Sequence, residues 1–303
     1  MTLTHFNELI AHAEQESYAL GYFESWNLES LLAVADAAEA TQSPVLMGYN
    51  GIYLNHPGRV RREALSVISA MGLATCHQIT MPAMLIFNES PHLDWVIEAI
   101  DQGFGLVMFT DDQLSLREKI SQVRRIVEIA HREGAAVEGE IDSLPGIAGN
   151  LIDLPDDARL TKVETALEFV EQTGVDAFAV NIGQMHLHGK QAVHLNLDLL
   201  RELNDALNVP LVLHGSTSVL EEDLVEAVKF GIRKINLGSI LKQTYFEAMR
   251  EVCETTGDRY NPYEVIGSGL REDVLMAGRI ALQDKVEHYM RLIGSAGKGK
   301  LIS

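Results

Sequence analysis

Three histidines and a lysine stand close together in the stretch NIGQMHLHGKQAVH at residues 181–194. His186, His188 and Lys190 follow an apolar run, VDAFAVNIG, of the kind that forms a β-strand. Imidazole nitrogens bind divalent metals and exchange protons near neutral pH, and an ammonium group holds an anion. The residue types therefore indicate metal-assisted chemistry at a strand end, although a histidine in such a place is often only hydrogen-bonded.

Two further strand-like runs contain residues of the same kind. Glu140 lies in AAVEGEI at 135–141, and His214 lies in PLVLHG at 210–215. Together with His186 they come from three consecutive strand-like runs, so their side chains would converge at one edge of a parallel sheet. Histidine and carboxylate ligands on separate rigid strands suit a divalent metal ion. The pattern therefore predicts a metal site that includes Glu140, His186 and His214.

The elements that would position these residues alternate regularly. Amphipathic helical stretches, such as those at 27–41 and 116–134, separate short apolar runs. Eight such units in about 220 residues predict a closed parallel barrel of the α/β class, a (β/α)8 TIM barrel. A doubly wound sheet is the alternative, and the even spacing favours closure. The strand-like runs are at residues 18–23, 44–49, 83–87, 105–110, 135–141, 176–182, 210–215 and 232–238.

The rest of the chain, from about residue 241, predicts additional C-terminal helices. Within it, DVLMAGRIALQDKVEHYMRLIG at 273–294 has the pattern of one long helix. No low-complexity linker divides the chain, so residues 1–303 are expected to form a single domain.

Composition limits the partners of this chain. The formal net charge is −19, from 24 Lys and Arg against 43 Asp and Glu, whereas nucleic-acid binding needs clustered cations. No membrane span or signal-peptide pattern is present, so a cytoplasmic protein without nucleic-acid or membrane partners is expected. Cys76 and Cys253 lie far apart without a CxxC spacing, which gives no sign of a thiolate metal site or a disulfide.

Six segments resemble the class II, metal-dependent ketose-bisphosphate aldolases, in the same order and over nearly the whole chain. They are LLAVADAAEATQSPVLM near the start, then VEGEIDSLPGIAG, DAFAVNIGQMHLHGK, LVLHGSTSV and GIRKINLGSIL, and YMRLIGSAGK near the end. The resemblance implies a lyase that cleaves a sugar-derived ketose or ketose phosphate by retro-aldol chemistry, through a metal-stabilised enediolate. It also implies a divalent ion, with zinc preferred and manganese, magnesium or cobalt as alternatives, and a homodimer or homotetramer.

The resemblance gives roles to individual residues. His186 and His214 match two metal-binding histidines of the family, and Glu140 matches the glutamate of its strand-five segment. Lys190 matches a lysine near the phosphate end of the site. Asn236 matches an asparagine that steadies the enediolate, which is the chemistry expected of an amide donor beside developing negative charge.

Substrate phosphate is expected after strands seven and eight. Gly215, Ser216 and Thr217 follow strand seven, while Gly238 and Ser239 follow strand eight and begin a helix. Backbone N–H groups at a helix start favour an anion, and barrels of this kind often bind phosphate there. Ordinary helix capping by Ser239 is the alternative.

The sequence departs from the family where the family carries out proton transfer. The family segment HLDH becomes IFNE, which puts Asn88 in place of a catalytic aspartate and Glu89 in place of a metal-binding histidine. Asparagine cannot exchange a proton, but it can hydrogen-bond a substrate hydroxyl. We therefore predict Asn88, Glu89 and Asn236 as the catalytic residues, with Glu89 as either a metal ligand or the proton acceptor.

Two further departures lie in the strand-five loop and after strand eight. Ala148 and Gly149 stand where the family keeps an acidic residue, and Gly238 replaces an aspartate. Asp142 or a metal-bound water is then an alternative proton acceptor. A substrate other than fructose 1,6-bisphosphate is expected. A metal-dependent sugar epimerase or isomerase, and a non-catalytic sugar-phosphate-binding subunit, remain as alternative functions.

Overall fold

The computed structural model of the protein describes residues 3–141, 144, 160–185 and 192–301. Of the predicted site residues, His186 and Lys190 lie outside the described residues. The same holds for His188, for Asp142, and for the loop positions Ala148 and Gly149.

The described residues form eight parallel strands that close into a barrel. Each strand pairs with the next along the chain, and the last pairs with the first. This confirms the predicted (β/α)8 barrel, and each strand overlaps the run predicted for it. The strands are β1 (Leu20–Glu24), β2 (Val45–Asn50), β3 (Ala83–Ser90), β4 (Leu106–Phe109), β5 (Ala136–Gly139), β6 (Ala177–Val180), β7 (Leu211–Leu213) and β8 (Ile232–Leu237).

Helices precede, connect and follow the strands. They are α1 (Phe6–Gln15), α2 (Leu28–Thr41), α3 (Gly51–Leu54), α4 (Leu65–Gln78), α5 (Leu93–Asp101), α6 (Leu116–Glu133), α7 (Val163–Thr173), α8 (Leu197–Ala206), α9 (Glu221–Lys229), α10 (Ser239–Thr255), α11 (Pro262–Val265) and α12 (Val274–Leu292). The additional C-terminal helices are thereby confirmed. The longest of them, α12, packs against α2 and α10.

The helix ends follow from local sequence signals. Ser115 caps α6 in a capping box with Glu118, which satisfies backbone N–H groups that the first turn leaves unpaired. Gly134 ends the same helix with φ of +77°, a left-handed conformation that glycine adopts without steric cost. The amphipathic stretch at 116–134 therefore forms the helix that its pattern predicts.

Neighbouring residues in a strand belong to different apolar clusters, as expected for a barrel wall buried on both sides. In β2, Val45 and Met47 belong to the cluster between strands and helices, whereas Leu46 belongs to the interior cluster. Phe6 of α1 joins the interior cluster too, so this helix covers the end of the barrel at which the strands begin. No helix within the described residues is long and apolar enough to cross a membrane.

Candidate active site

A cleft opens at the end of the barrel where the strands finish. Barrels of this architecture carry their chemistry at that end. The predicted residues that line the cleft are Asn88, Glu89, His214, Gly215, Thr217, Asn236, Gly238 and Ser239.

His214 is held between two carboxylates. Its Nδ1 lies 3.1 Å from Oε1 of Glu89, and its Nε2 lies 2.6 Å from Oε1 of Glu138. Burial alone would lower the pKa of His214, but the hydrogen bonds and charges of the two carboxylates outweigh it and raise the pKa to about 10. In the metal-free protein the ring is therefore a cation that donates from both nitrogens.

Lys234 is fully buried and fixes two neighbouring side chains. Its Nζ lies 2.7 Å from Oε2 of Glu138 and donates to Oδ1 of Asn236 at 2.6 Å. Burial would raise the pKa of Glu138, but the Lys234 charge and the His214 hydrogen bond hold it below its usual range. Because the ammonium occupies Oδ1 of Asn236, the amide Nδ2 is left to donate elsewhere.

Glu89 has a backbone conformation that is uncommon for a residue with a side chain. Its φ is +49°, at the point where the pairing of β3 with β4 shifts register. Its Oε2 accepts hydrogen bonds from Nδ2 of Asn88, at 2.9 Å, and from Nδ2 of Asn50. Such backbone strain costs about 1–3 kcal/mol and persists where the surroundings fix it, often at functional sites.

Three polar atoms in this region are buried without a hydrogen-bond partner in the described residues. They are Oη of Tyr22, Oδ1 of Asn88 and Nδ2 of Asn236, and all three residues line the cleft. Leaving such a group unpaired costs about 1–3 kcal/mol. A bound molecule that carries hydroxyl and carbonyl groups would satisfy them.

Glu140 lies directly after β5 and is buried beside Thr110, whose hydroxyl donates to Oε2 of Glu140 at 3.1 Å. Burial raises the pKa of Glu140 to about 8, with Glu89 adding to the rise and His214 opposing it. Glu140 is therefore mostly protonated at neutral pH in the metal-free protein.

The donor set fits a divalent ion in part. Within the described part of the chain, no three His, Cys, Asp or Glu side chains are grouped to hold a metal. Glu89 and His214 nevertheless present an oxygen and a nitrogen 3.1 Å apart, close to the separation of two ligands on one tetrahedral zinc. Glu138 on the other ring nitrogen is the outer carboxylate that metal-binding histidines usually have. Of the other predicted ligands, Glu140 does not join Glu89 and His214 in such a group, and His186 lies outside the described residues.

Most of the residues predicted to bind phosphate lie where β7 and β8 end. Ser216 differs, because its buried hydroxyl donates to the carbonyl of Leu213 at 3.1 Å. The capping considered for Ser239 is not observed, because Gly238 is the N-cap residue of α10, and the Ile240 N–H of the first turn instead donates to Oγ1 of Thr217 at 3.5 Å. The backbone at the start of α10 therefore faces the cleft through Gly238 and Ser239.

Eight residues of the site are not predicted from the sequence: Tyr22, Glu24, Asn50, Ile52, Tyr53 and Leu237 in the lining of the cleft, and Glu138 and Lys234 among the buried partners of His214 and Asn236. Glu138 and Lys234 interrupt apolar strand runs, and charges in such runs are a signal of a buried ion pair. Asn50 ends β2 and caps α3 as a turn former would, and its side chain does accept from the Ile52 N–H at 2.9 Å. Its second contact, to Glu89, depends on the pairing of β2 with β3.

Comparison with known proteins agrees with this geometry. The family model "Fructose-bisphosphate aldolase class-II" matches residues 4–298. The sulfofructosephosphate aldolase of Alkalicoccus urumqiensis is 29% identical over 292 residues, which is 96% of each chain. The 6-phospho-5-dehydro-2-deoxy-D-gluconate aldolase of Shouchella clausii is 28% identical over 291 residues, covering 96% of this chain and 94% of the relative.

A solved structure gives the same result. The YdjI aldolase from Escherichia coli K12 is 26% identical to this chain, with a TM-score of 0.79 over 98% of this chain and 99% of that one. A family match from residue 4 to residue 298, on a barrel that superposes on a known aldolase, shows that this chain is a lyase of the class II fructose-bisphosphate aldolase family.

Proposed function

We propose that this chain is a divalent-metal-dependent aldolase that cleaves a sugar-derived ketose or ketose phosphate by retro-aldol chemistry, and that fructose 1,6-bisphosphate is not its substrate. One observation carries the proposal. Glu89, His214, Glu138, Lys234 and Asn236 form a continuous buried array that ends in a free amide donor at the cleft.

In this proposal the ion is held by Glu89, His214 and His186, with Glu140 as a further candidate ligand. Zinc suits the two histidines, and the carboxylates would also accept manganese, magnesium or cobalt. When bound, the ion polarises the substrate carbonyl and offsets the negative charge that develops as the carbon–carbon bond breaks.

The side chains of the cleft would bind the substrate oxygens and transfer the proton, each in a separate role. Nδ2 of Asn236, held in place by Lys234, would donate to the substrate oxygen on which negative charge develops. Oδ1 of Asn88 would accept a hydrogen bond from a substrate hydroxyl, because an amide cannot take the proton itself. That proton would pass to Glu89, or to Asp142 or a water if Glu89 serves only as a ligand.

The relatives support a sugar-derived substrate. By their names, two of them act on sulfofructosephosphate and on 6-phospho-5-dehydro-2-deoxy-D-gluconate. Both names describe phosphorylated derivatives of sugars. The identity over each match is below a third, so we propose the substrate class for this chain and not either compound.

The test is to purify the protein without chelator, measure its metal content, and assay a panel of ketoses and ketose phosphates for aldehyde release. We expect about one divalent ion per chain and metal-dependent cleavage of at least one ketose. Epimer or isomer formation without aldehyde would instead establish the isomerase alternative. Neither metal nor turnover on any member of the panel would favour a non-catalytic binding subunit and overturn the proposal.

A further inference from the structure

One end of the cleft carries a carboxylate next to the helix start where phosphate is expected. Glu24 closes β1, is buried, and lines the cleft together with Gly238 and Ser239. A Cβ atom at position 238 would lie 2.4 Å from Oε2 of Glu24, so a side chain there would push the carboxylate aside. Glu24 therefore occupies the space directly beside the first residues of α10.

The Glu24 carboxylate has one occupied oxygen and one open oxygen. Oε1 accepts a hydrogen bond from Nζ of Lys242, while Oε2 has no hydrogen-bond partner in the described part of the chain. Lys242 is also held on its other side, because its Nζ lies 3.8 Å from the centre of the Tyr53 ring. The lysine that could have served a phosphate is thus already paired.

These contacts decide which chemical group this end of the cleft can hold. A phosphate at the start of α10 would meet backbone N–H groups but also the Glu24 carboxylate, and two negative charges at such short range repel strongly. A hydroxyl group would instead donate to the open Oε2, as carboxylate oxygens readily accept. The open donor Nδ2 of Asn236 lines the same cleft and suits the same kind of ligand.

We propose that Glu24 is a specificity-determining residue, and that it selects a substrate whose end between β8 and β1 is an uncharged, hydroxyl-bearing group instead of a phosphate. This inference rests on the proposed function in placing a sugar-derived substrate in the cleft. A phosphate elsewhere on the substrate is compatible with it. Gly215 and Thr217 would then contact the carbon chain or a hydroxyl of the same end.

The test is the binding of inorganic phosphate, measured by isothermal titration in the absence of metal and substrate. We expect no saturable binding to the wild-type protein up to the highest phosphate concentration used. Glu24→Gln frees Lys242 and removes the repelling charge, so it should bind phosphate with a dissociation constant at least about tenfold below that concentration, a gain of at least about tenfold. Adding Thr217→Val to Glu24→Gln should abolish the gain, because Thr217 lines the cleft. Loss of the gain would therefore locate the phosphate in the cleft. Asp111→Asn, a matched loss of one carboxylate outside the cleft, should bind phosphate no better than wild type.

Saturable phosphate binding to the wild-type cleft overturns the proposal, and so does a gain below tenfold, or no binding, in a folded Glu24→Gln. If that variant fails to fold, Glu24→Asn carries the same prediction. The titration needs neither metal nor turnover, so a failure of the aldolase proposal would be seen separately.

Discussion

Nε2 of His214 lies 2.6 Å from Oε1 of Glu138, and both side chains are almost completely buried. A carboxylate on the outer nitrogen of a histidine fixes the ring and raises its basicity toward a metal on the other nitrogen. With Nε2 engaged in this way, Nδ1 faces Glu89. The Glu138–His214 pair thus decides which ring nitrogen is available in the cleft.

The first prediction concerns the strength of metal binding. Glu138→Gln keeps the size of the side chain but removes the charge that orients His214, so we expect metal affinity to fall about 10- to 100-fold. Competition with a chromophoric chelator measures the change. Glu98→Gln, on the outer helix α5, is the matched control and should bind metal as wild type does. Unchanged affinity in a folded Glu138→Gln would argue against the role of His214 as a ligand.

The barrel itself could be predicted because each of its strands is buried on both faces. Runs such as PVLMGY and GLVMFT are continuous in apolar residues, and amphipathic stretches between them fix the alternation of strands and helices. The location of residues at strand ends, such as Glu89 and His214, can then be predicted as well, since the carboxyl ends of all parallel strands meet at one end of the barrel.

The partners inside the barrel could not be predicted in the same way. Glu138 lies in β5 and Lys234 lies in β8, with β6 and β7 between them in the sheet. Their ion pair exists only because the barrel closes. Tyr22 looks like an ordinary apolar strand residue in the sequence, whereas the structure turns it toward the cleft. Side-chain direction across a closed barrel depends on register, which local sequence does not encode.

The second prediction is a dependence of stability on pH that Glu140 causes. Its pKa is about 8 in the folded protein, against 4.5 as the ordinary value. Between these pH values the folded state keeps a proton that the unfolded state has released, so stability falls as pH rises, by up to about 1.4 kcal/mol per pH unit. Below this window and above it, the contribution of Glu140 is constant.

Glu140→Gln cannot ionise and should lose this dependence. Urea unfolding of metal-free wild type and variant from pH 4 to pH 9 gives the difference in the free energy of unfolding. We expect the free energy of unfolding of the variant, relative to that of wild type, to rise as pH increases across the window. Above the window the difference should stay constant. A difference that does not change with pH would show that Glu140 titrates normally.

The third prediction concerns assembly. Apolar side chains are exposed around α11, where Tyr263 is 86% exposed and Ile266 is 60% exposed. Clusters of this kind are typical of protein–protein interfaces, and a homodimer or homotetramer is expected for this chain. Tyr263→Ser combined with Ile266→Ser should shift the protein toward the 33.4 kDa monomer in sedimentation. Val60→Ser removes an equally exposed apolar residue elsewhere and should leave the assembly intact. A wild-type monomer at micromolar concentration would contradict the prediction.

The last prediction concerns proton transfer at Asn88 and Glu89. Because an amide stands where a proton-transferring acid is expected, cleavage of fructose 1,6-bisphosphate should be slower than that of the true substrate by about 10²–10⁴-fold. Asn88→Asp restores an acid at this position. In the wild-type protein, however, Oε2 of Glu89 accepts a hydrogen bond from Nδ2 of Asn88 at 2.9 Å, so the substitution places a second carboxylate against it. The two carboxylates would repel, so we expect the substitution to lower metal-free stability without restoring fast cleavage.

Glu89→Gln should abolish turnover of the true substrate, and the metal content of the variant tells why. Loss of the ion with loss of turnover identifies Glu89 as a ligand, since an amide is a much weaker donor than a carboxylate. Retention of the ion with loss of turnover identifies it as the proton acceptor. Asn50→Ala is the companion variant, because it removes one of the two amides that hold Oε2 and leaves the carboxylate in place. It should reduce turnover less than Glu89→Gln does. Wild-type cleavage of fructose 1,6-bisphosphate at ordinary enzyme rates, or a kinetically silent Glu89→Gln, would refute this account of the site.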